Sequence, residues 1–158
     1  LRTELSFDLE LVDDRERWLP STLVDVAWRA AVRRAGPELP LRVAESIEPG
    51  TYGHLTYLLA TCATVGETLR RLTKYYGLIS EAATWHLDVG PRKILVGVEF
   101  RGSVRPACVE SFLVAVAWCF IRNNACVASP PREVWLTQPR PEDSLARAHM
   151  RTFTAPVA

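Results

Sequence analysis

The side chains able to carry out chemistry are few and stand apart. Three histidines, His54, His86 and His149, offer ring nitrogens to a metal or to acid–base work, yet no two share an H-x-x-x-H or comparable spacing. Glu110 and Ser111 are neighbours, but neither a G-x-S-x-G elbow nor a catalytic-cysteine signature surrounds them. A carboxylate there suits the first turn of a helix, where it meets the positive end of the helix dipole. Gly50, Gly53 and Gly66 lack the G-x-x-x-x-G-K-[ST] order of a phosphate loop, so backbone geometry is their expected task. These patterns point away from an enzyme, a metal site and any cofactor.

What remains is aromatic. Among the tyrosines and tryptophans, many of them near the ends of expected elements, stand Tyr52, Tyr57, Trp85 and Trp118, with His54 and Glu99 as polar companions. Small-molecule sites are concave and mostly apolar, with a few polar groups that fix orientation. The candidate ligand-binding residues are therefore Tyr52, His54, Tyr57, Trp85, Glu99 and Trp118. Core packing is the plainer alternative for the aromatics, and a solvated sheet face for Glu99.

The elements that must position these groups follow from periodicity. Leu5, Phe7, Leu9 and Leu11 alternate with Ser6, Asp8 and Glu10, the period-2 pattern of a half-buried strand over residues 4–12. A helix is predicted from about Pro20 to Ala35, stopped by Gly36-Pro37, with Leu23, Val26, Ala27, Ala30 and Ala31 as its apolar face. Leu39 to Ile47 reads as a further turn or two of helix, and Tyr52 to Ala60 as a short helix or tight turn opening on Gly53. Thr64-Val65-Gly66-Glu67 is a capping box. Its threonine hydroxyl accepts from the backbone N–H three residues on, and its glutamate reaches back to the threonine N–H. Leu69, Leu72, Tyr76 and Ile79 then follow at helical spacing.

Trp85 to Val89 and Ile94 to Phe100 form two alternating runs around Gly90-Pro91-Arg92-Lys93, a hairpin with a four-residue loop. A second long helix is predicted from Pro106 to about Asn124. It is apolar all round from Phe112 to Ile121, so other elements must cover it. A last short strand is expected at Glu133 to Thr137, then a polar helical segment. Helices mixed with an antiparallel hairpin, without regular alternation, make the fold class α+β, a small sheet packed with several helices around a buried central one.

Composition bounds the partners. The 158 residues carry 19 Lys plus Arg against 18 Asp plus Glu, a net charge of +1, without the basic excess of an autonomous nucleic-acid binder. The run Phe112 to Ile121 is about half of the roughly 20 residues a membrane span needs. Cys62, Cys108, Cys119 and Cys126 show no C-x-x-C spacing and read as free thiols, in keeping with a reducing cytoplasm.

One segment carries more than its own physics. Pro49-Gly50-Thr51-Tyr52-Gly53-His54-Leu55-Thr56-Tyr57, followed by Thr64-Val65-Gly66-Glu67-Thr68-Leu69, Leu72 and Tyr75-Tyr76, resembles the N-terminal ligand-binding domain of a subgroup of AraC/XylS-type transcription regulators. There a Gly-aromatic-Gly segment precedes a T-[LV]-G-E-A-L helix and an aromatic. Phe153-Thr154-Ala155-Pro156-Val157 resembles the subgroup's late F-G-x-P-V segment, with Thr154 in place of the usual glycine. Residues 1–17 lie outside the resemblance. It implies one α+β effector-sensing domain over residues 1–158, unlike the jelly-roll sugar pocket of the family's name-bearing member. It also implies a cytoplasmic protein, commonly a homodimer, that meets a small-molecule effector. DNA would be contacted only through a C-terminal helix-turn-helix region expected to follow this chain. Ligand-independent dimerisation is the main alternative, ahead of a haem- or metal-dependent sensor or an enzyme.

Overall fold

The computed structural model describes residues 18–48, 50–102, 107–124, 130–139 and 141–158. The strand expected over residues 4–12 lies outside them, as do Pro106 and Cys126. Six helices and one hairpin make up the described fold: α1 (Ser21–Ala35), α2 (Leu39–Glu45), α3 (His54–Ala60), α4 (Val65–Tyr75), β1 (Ala83–Val89), β2 (Ile94–Phe100), α5 (Ala107–Asn124) and α6 (Asp143–Phe153), with a 3-10 turn at Tyr76–Leu78. The α+β class holds.

Helix α5 is the axis. Its Ala115, Val116, Trp118 and Ile121 join Leu41 and Ala44 of α2, Leu69 of α4 and Ala148 and Phe153 of α6 in one core. Its Ala117 turns to the other side and meets Leu55 and Leu59 of α3, Leu72 and Tyr76 of the α4 end, and Trp85 of β1 in a second. A helix apolar around its whole circumference is stable in water only when enclosed in this way. Where α2 crosses it, Ala44 and Ala115 are both almost fully buried, and such small side chains let the two backbones approach closely.

Helix α1 sits at the periphery, with Ala30 its one fully buried residue. Val26, expected on the inner face, is exposed. The half-buried Trp28 packs inward instead, its ring centroid 4.8 Å from that of Phe112. Apolar positions one turn apart share a face, but the periodicity did not weigh Trp28, whose larger area rotates the helix toward α5. Gly36, at φ 92°, ends the helix by donating its N–H to the Val32 carbonyl at 2.8 Å.

The capping box forms with one change of partner. Thr64 Oγ1 accepts from the Glu67 N–H at 3.2 Å, as its spacing predicts. The Glu67 carboxylate reaches past Thr64 and accepts from the Ala63 N–H at 3.2 Å, while also pairing with Arg71 one turn on. Arg71 in turn donates to the Leu58 carbonyl at 2.9 Å and to Thr61 Oγ1 at 2.8 Å, so the end of α3 and the start of α4 are held by one guanidinium.

The hairpin register runs from Ala83↔Phe100 to Val89↔Ile94, leaving the predicted four-residue loop. The expected strand at Glu133 to Thr137 shortens to a single parallel bridge between Val134 and Val157. Val134 N–H donates to the Pro156 carbonyl, and Ala158 N–H to the Val134 carbonyl, each at 2.9 Å. Flanking prolines at 130, 131 and 139 lack the N–H groups that would lengthen such a ladder.

Helix α6 ends on Thr154 in the left-handed conformation, φ 53° and ψ 29°, with its N–H donated to the Met150 carbonyl at 2.9 Å. A β-branched residue is strained there, and the position is exposed, so a glycine would leave no cavity. Thr154→Gly should therefore raise stability by roughly 0.5–1 kcal/mol, the left-handed strain relieved less the glycine's extra unfolded entropy. Urea denaturation with an unchanged slope and a higher midpoint is the expected result.

Candidate functional site

Two hollows lie on either side of one pair of α5 side chains. The smaller, about 30 Å³, is lined by Tyr52, Leu55, Leu59, Leu72, Tyr76, Ile79, Trp85, Leu113, Val116, Ala117 and Phe120. The larger, about 160 Å³, is lined by Ala44, Ile47, Thr56, Val116, Cys119, Phe120 and Asn123. Val116 and Phe120 belong to both walls and separate the two spaces. The first has room for about one water molecule, the second for something the size of benzene.

Helical spacing builds these walls. Leu113, Val116, Ala117 and Phe120 recur at intervals of three and four on α5, Leu55 and Leu59 do so on α3, and Leu72 and Tyr76 where α4 passes into the 3-10 turn. Tyr52 approaches from the turn before α3. Its backbone N–H donates to the buried Thr56 Oγ1 at 3.2 Å, and its ring lies 6.2 Å from that of Phe120. Trp85 enters from β1 and meets Tyr76 edge to face, with centroids 5.8 Å apart.

The polar atoms on this apolar wall are few and neutral. Burial pushes the Tyr52 phenol far above its ordinary value of 10.0, with the nearby Tyr76 oxygen adding to the shift. Burial likewise raises Tyr76, which the Ser80 hydroxyl and the Trp85 indole partly offset. Both phenols therefore stay protonated at neutral pH. The Trp85 Nε1–H is buried and has no acceptor in hydrogen-bonding geometry, although it lies close enough to the Tyr76 oxygen to affect it. A buried N–H without an acceptor is costly and uncommon, and calls for an explanation.

Of the six residues picked out from the sequence, the structure brings two together here: Tyr52 and Trp85 share the wall of the smaller hollow. His54 is exposed on the first turn of α3. Tyr57 is exposed on the outer side of that helix, its hydroxyl lying against Gly50. Glu99 pairs with His86 at 3.2 Å on the solvent face of the hairpin. Trp118 is buried, donates its Nε1–H to the Thr152 carbonyl at 3.0 Å and lines neither hollow, so it fastens α5 to α6. The wall residues that sequence reasoning passed over are aliphatic or small. Their one signal, the spacing from Leu113 to Phe120, is the same signal that marks any buried helix face.

A second polar group lies where α5 and α6 meet. The Glu110 carboxylate, buried, accepts from the Thr137 N–H and the Thr137 hydroxyl, both at 2.9 Å. This role reaches further than the helix-dipole one expected for it. Ser111 Oγ lies 3.2 Å from His149 Nε2 and receives a hydrogen bond from Gln138 Nε2 at 2.6 Å. Serine beside histidine has the outline of a nucleophile and its base. Here both side chains are enclosed, and His149 Nδ1 has no partner, where a catalytic histidine would carry an orienting acid. The arrangement ties α6 and the 130s segment to α5. Among the described residues no three His, Cys, Asp or Glu side chains gather as metal ligands, and no helix is long and apolar enough to cross a membrane.

Against known proteins, residues 3–158 match the family model described as the arabinose-binding domain of AraC transcription regulators, N-terminal. The match extends to residues 3–17, which the resemblance seen in the sequence did not reach. No curated protein matches the chain.

Two pH dependences follow. Tyr52 and Tyr76 have folded pKa values above their unfolded ones, so the stability they contribute is complete below pH 10 and is lost as pH rises beyond it. On alkaline titration followed by tyrosinate absorbance, two of the four tyrosines should ionise only as the fold is lost. Burial depresses His149 below 6.5, so its contribution is present above that pH and is lost as pH falls through the lowered value. His149→Gln should flatten the fall in stability below pH 6.5 measured by urea melts. An unchanged slope would count against this reading.

Proposed function

The chain belongs to the family of arabinose-binding N-terminal domains of AraC transcription regulators, and we propose that its two hollows beside Phe120 are the seat of its small-molecule effector. One observation carries this assignment of the site: an apolar wall holds a buried indole N–H at Trp85 that has no acceptor in good geometry, the Tyr76 oxygen standing close by. Apolar surface binds, and a lone donor orients. Tyr52 and Tyr76 supply further neutral hydroxyls.

Effector binding regulates only if it favours one conformation or assembly over another. Helix α5 supplies the wall of both hollows and also the residues Glu110, Ser111 and Trp118 that grip α6 and the 130s segment. A ligand that moves α5 thereby moves its contacts with the C-terminal part of the domain. In the complete regulator the proposed output is altered DNA contact by a helix-turn-helix region beyond these residues. The protein would act in the cytoplasm, with this domain taking part in a homodimer.

A second reading rests on the hairpin. Val89, Ile94 and Val96 share one face of its outer end and are exposed, and apolar side chains grouped in this way favour self-association. Sedimentation would separate a dimer that responds to small molecules from one that does not.

Thermal-shift screening of a metabolite library tests the effector site, since a ligand that binds only the folded form raises its melting temperature. The control is Ala117→Leu, which fills the smaller hollow from within α5 at an overpacking cost of about 1–3 kcal/mol. Hits on the unaltered chain should vanish in the variant while its circular dichroism is kept. Hits that persist unchanged in the variant would move the site elsewhere.

A further inference from the structure

The walls of the two hollows also constrain what can occupy them. Neither wall contains an Asp, Glu, Lys, Arg or His side chain. The smaller is apolar apart from the Tyr52 and Tyr76 hydroxyls and the Trp85 indole. The larger adds the Thr56 hydroxyl, the Cys119 thiol and Asn123 at its mouth. Thr56 Oγ1 already accepts from the Tyr52 N–H, which leaves it one donor and one acceptor site.

A pentose presents a hydroxyl on nearly every carbon, and each needs a partner once it leaves water. Sugar sites meet that need with carboxylates, amides and guanidinium groups, whose paired donors and acceptors satisfy several hydroxyls at once. One hydroxyl, one thiol and a single amide at the mouth of the larger hollow do not. A carboxylate or ammonium ligand fares worse, because an ion buried without a counter-charge is strongly disfavoured. Size narrows the class further. The hollow of about 160 Å³ matches cavities that hold a single aromatic ring, and Phe120 and Val116 line both it and the smaller hollow, on whose wall Trp85 stands.

We infer that the effector is a small, uncharged, mainly apolar molecule, about one substituted aromatic ring in size, whose single hydrogen-bond acceptor takes the Trp85 indole N–H, and that it is not a sugar. The inference rests on the reading of these hollows as the effector site. In the bound form Phe120 turns aside, joining the two spaces, with the ring of the ligand in the larger and its acceptor reaching into the smaller.

Four probes titrated into the whole chain by calorimetry test this: acetophenone, ethylbenzene, benzoate and arabinose. Acetophenone and ethylbenzene have nearly the same shape and differ by the carbonyl acceptor. Acetophenone should bind about tenfold more tightly, the value of one well-aligned hydrogen bond to a donor that has none in good geometry. Trp85→Phe should reduce that preference, read as the ratio of the two affinities, to less than about threefold. Phe120→Ala, which opens the partition, should strengthen both, and it keeps the test decisive if Trp85→Phe fails to fold. Benzoate and arabinose should give no heat of binding.

Equal affinity for acetophenone and ethylbenzene in the unaltered chain would overturn the role given to Trp85. Arabinose binding that Ala117→Leu abolishes would overturn the ligand class and leave the effector site standing. If none of the four probes binds, the ligand class is wrong. If no library compound gives a shift that Ala117→Leu removes, the effector site itself is wrong.

Discussion

Everything in this domain depends on the burial of one helix. From Phe112 to Ile121, α5 has no face it can leave in water, so the other elements are arranged by the need to cover it. Helices α2 and α6 close one side around Ala115 and Trp118, and α3, α4 and the hairpin close the other around Ala117. Interiors pack to crystal-like density, yet the second covering is incomplete. Leucines, tyrosines and a tryptophan converge on Ala117, the smallest side chain at the contact, and a hollow remains beside it.

The sequence announced elements with a strong period or a local chemical signal. The capping box at Thr64, the alternating runs of the hairpin and the all-round apolar stretch of α5 could each be read from neighbouring residues. Local reading failed where a choice depended on distant partners. Glu67 prefers the N–H of Ala63 because Arg71, held by Leu58 and Thr61, draws its carboxylate that way. Val26 is left exposed and Trp28 turns inward because Phe112 is available to stack. Glu133 to Thr137 stays a bridge, its pairing partner being the far end of the chain.

The candidate site was half visible for a similar reason. Aromatic side chains attract notice, so Tyr52 and Trp85 could be picked out, but Tyr57 and Trp118 share their composition and serve other ends. What distinguishes Trp85 is a missing acceptor, which only the packed structure reveals. His149 makes the same point from the other direction. It lies in a polar stretch that reads as a solvated helix face, yet it is wholly buried against Ser111, because α6 turns that face toward α5.

The double duty of α5 has a mechanical consequence. A helix this well enclosed moves as a rigid rod, since neighbouring turns cannot shift independently without opening voids. Ala117 and Trp118 are consecutive residues, one on the wall of a hollow and the other bonded to the carbonyl of Thr152. A push on the first is felt by the second with almost no length of chain in which to dissipate. The domain therefore resembles a lever with both loads at one point along its shaft.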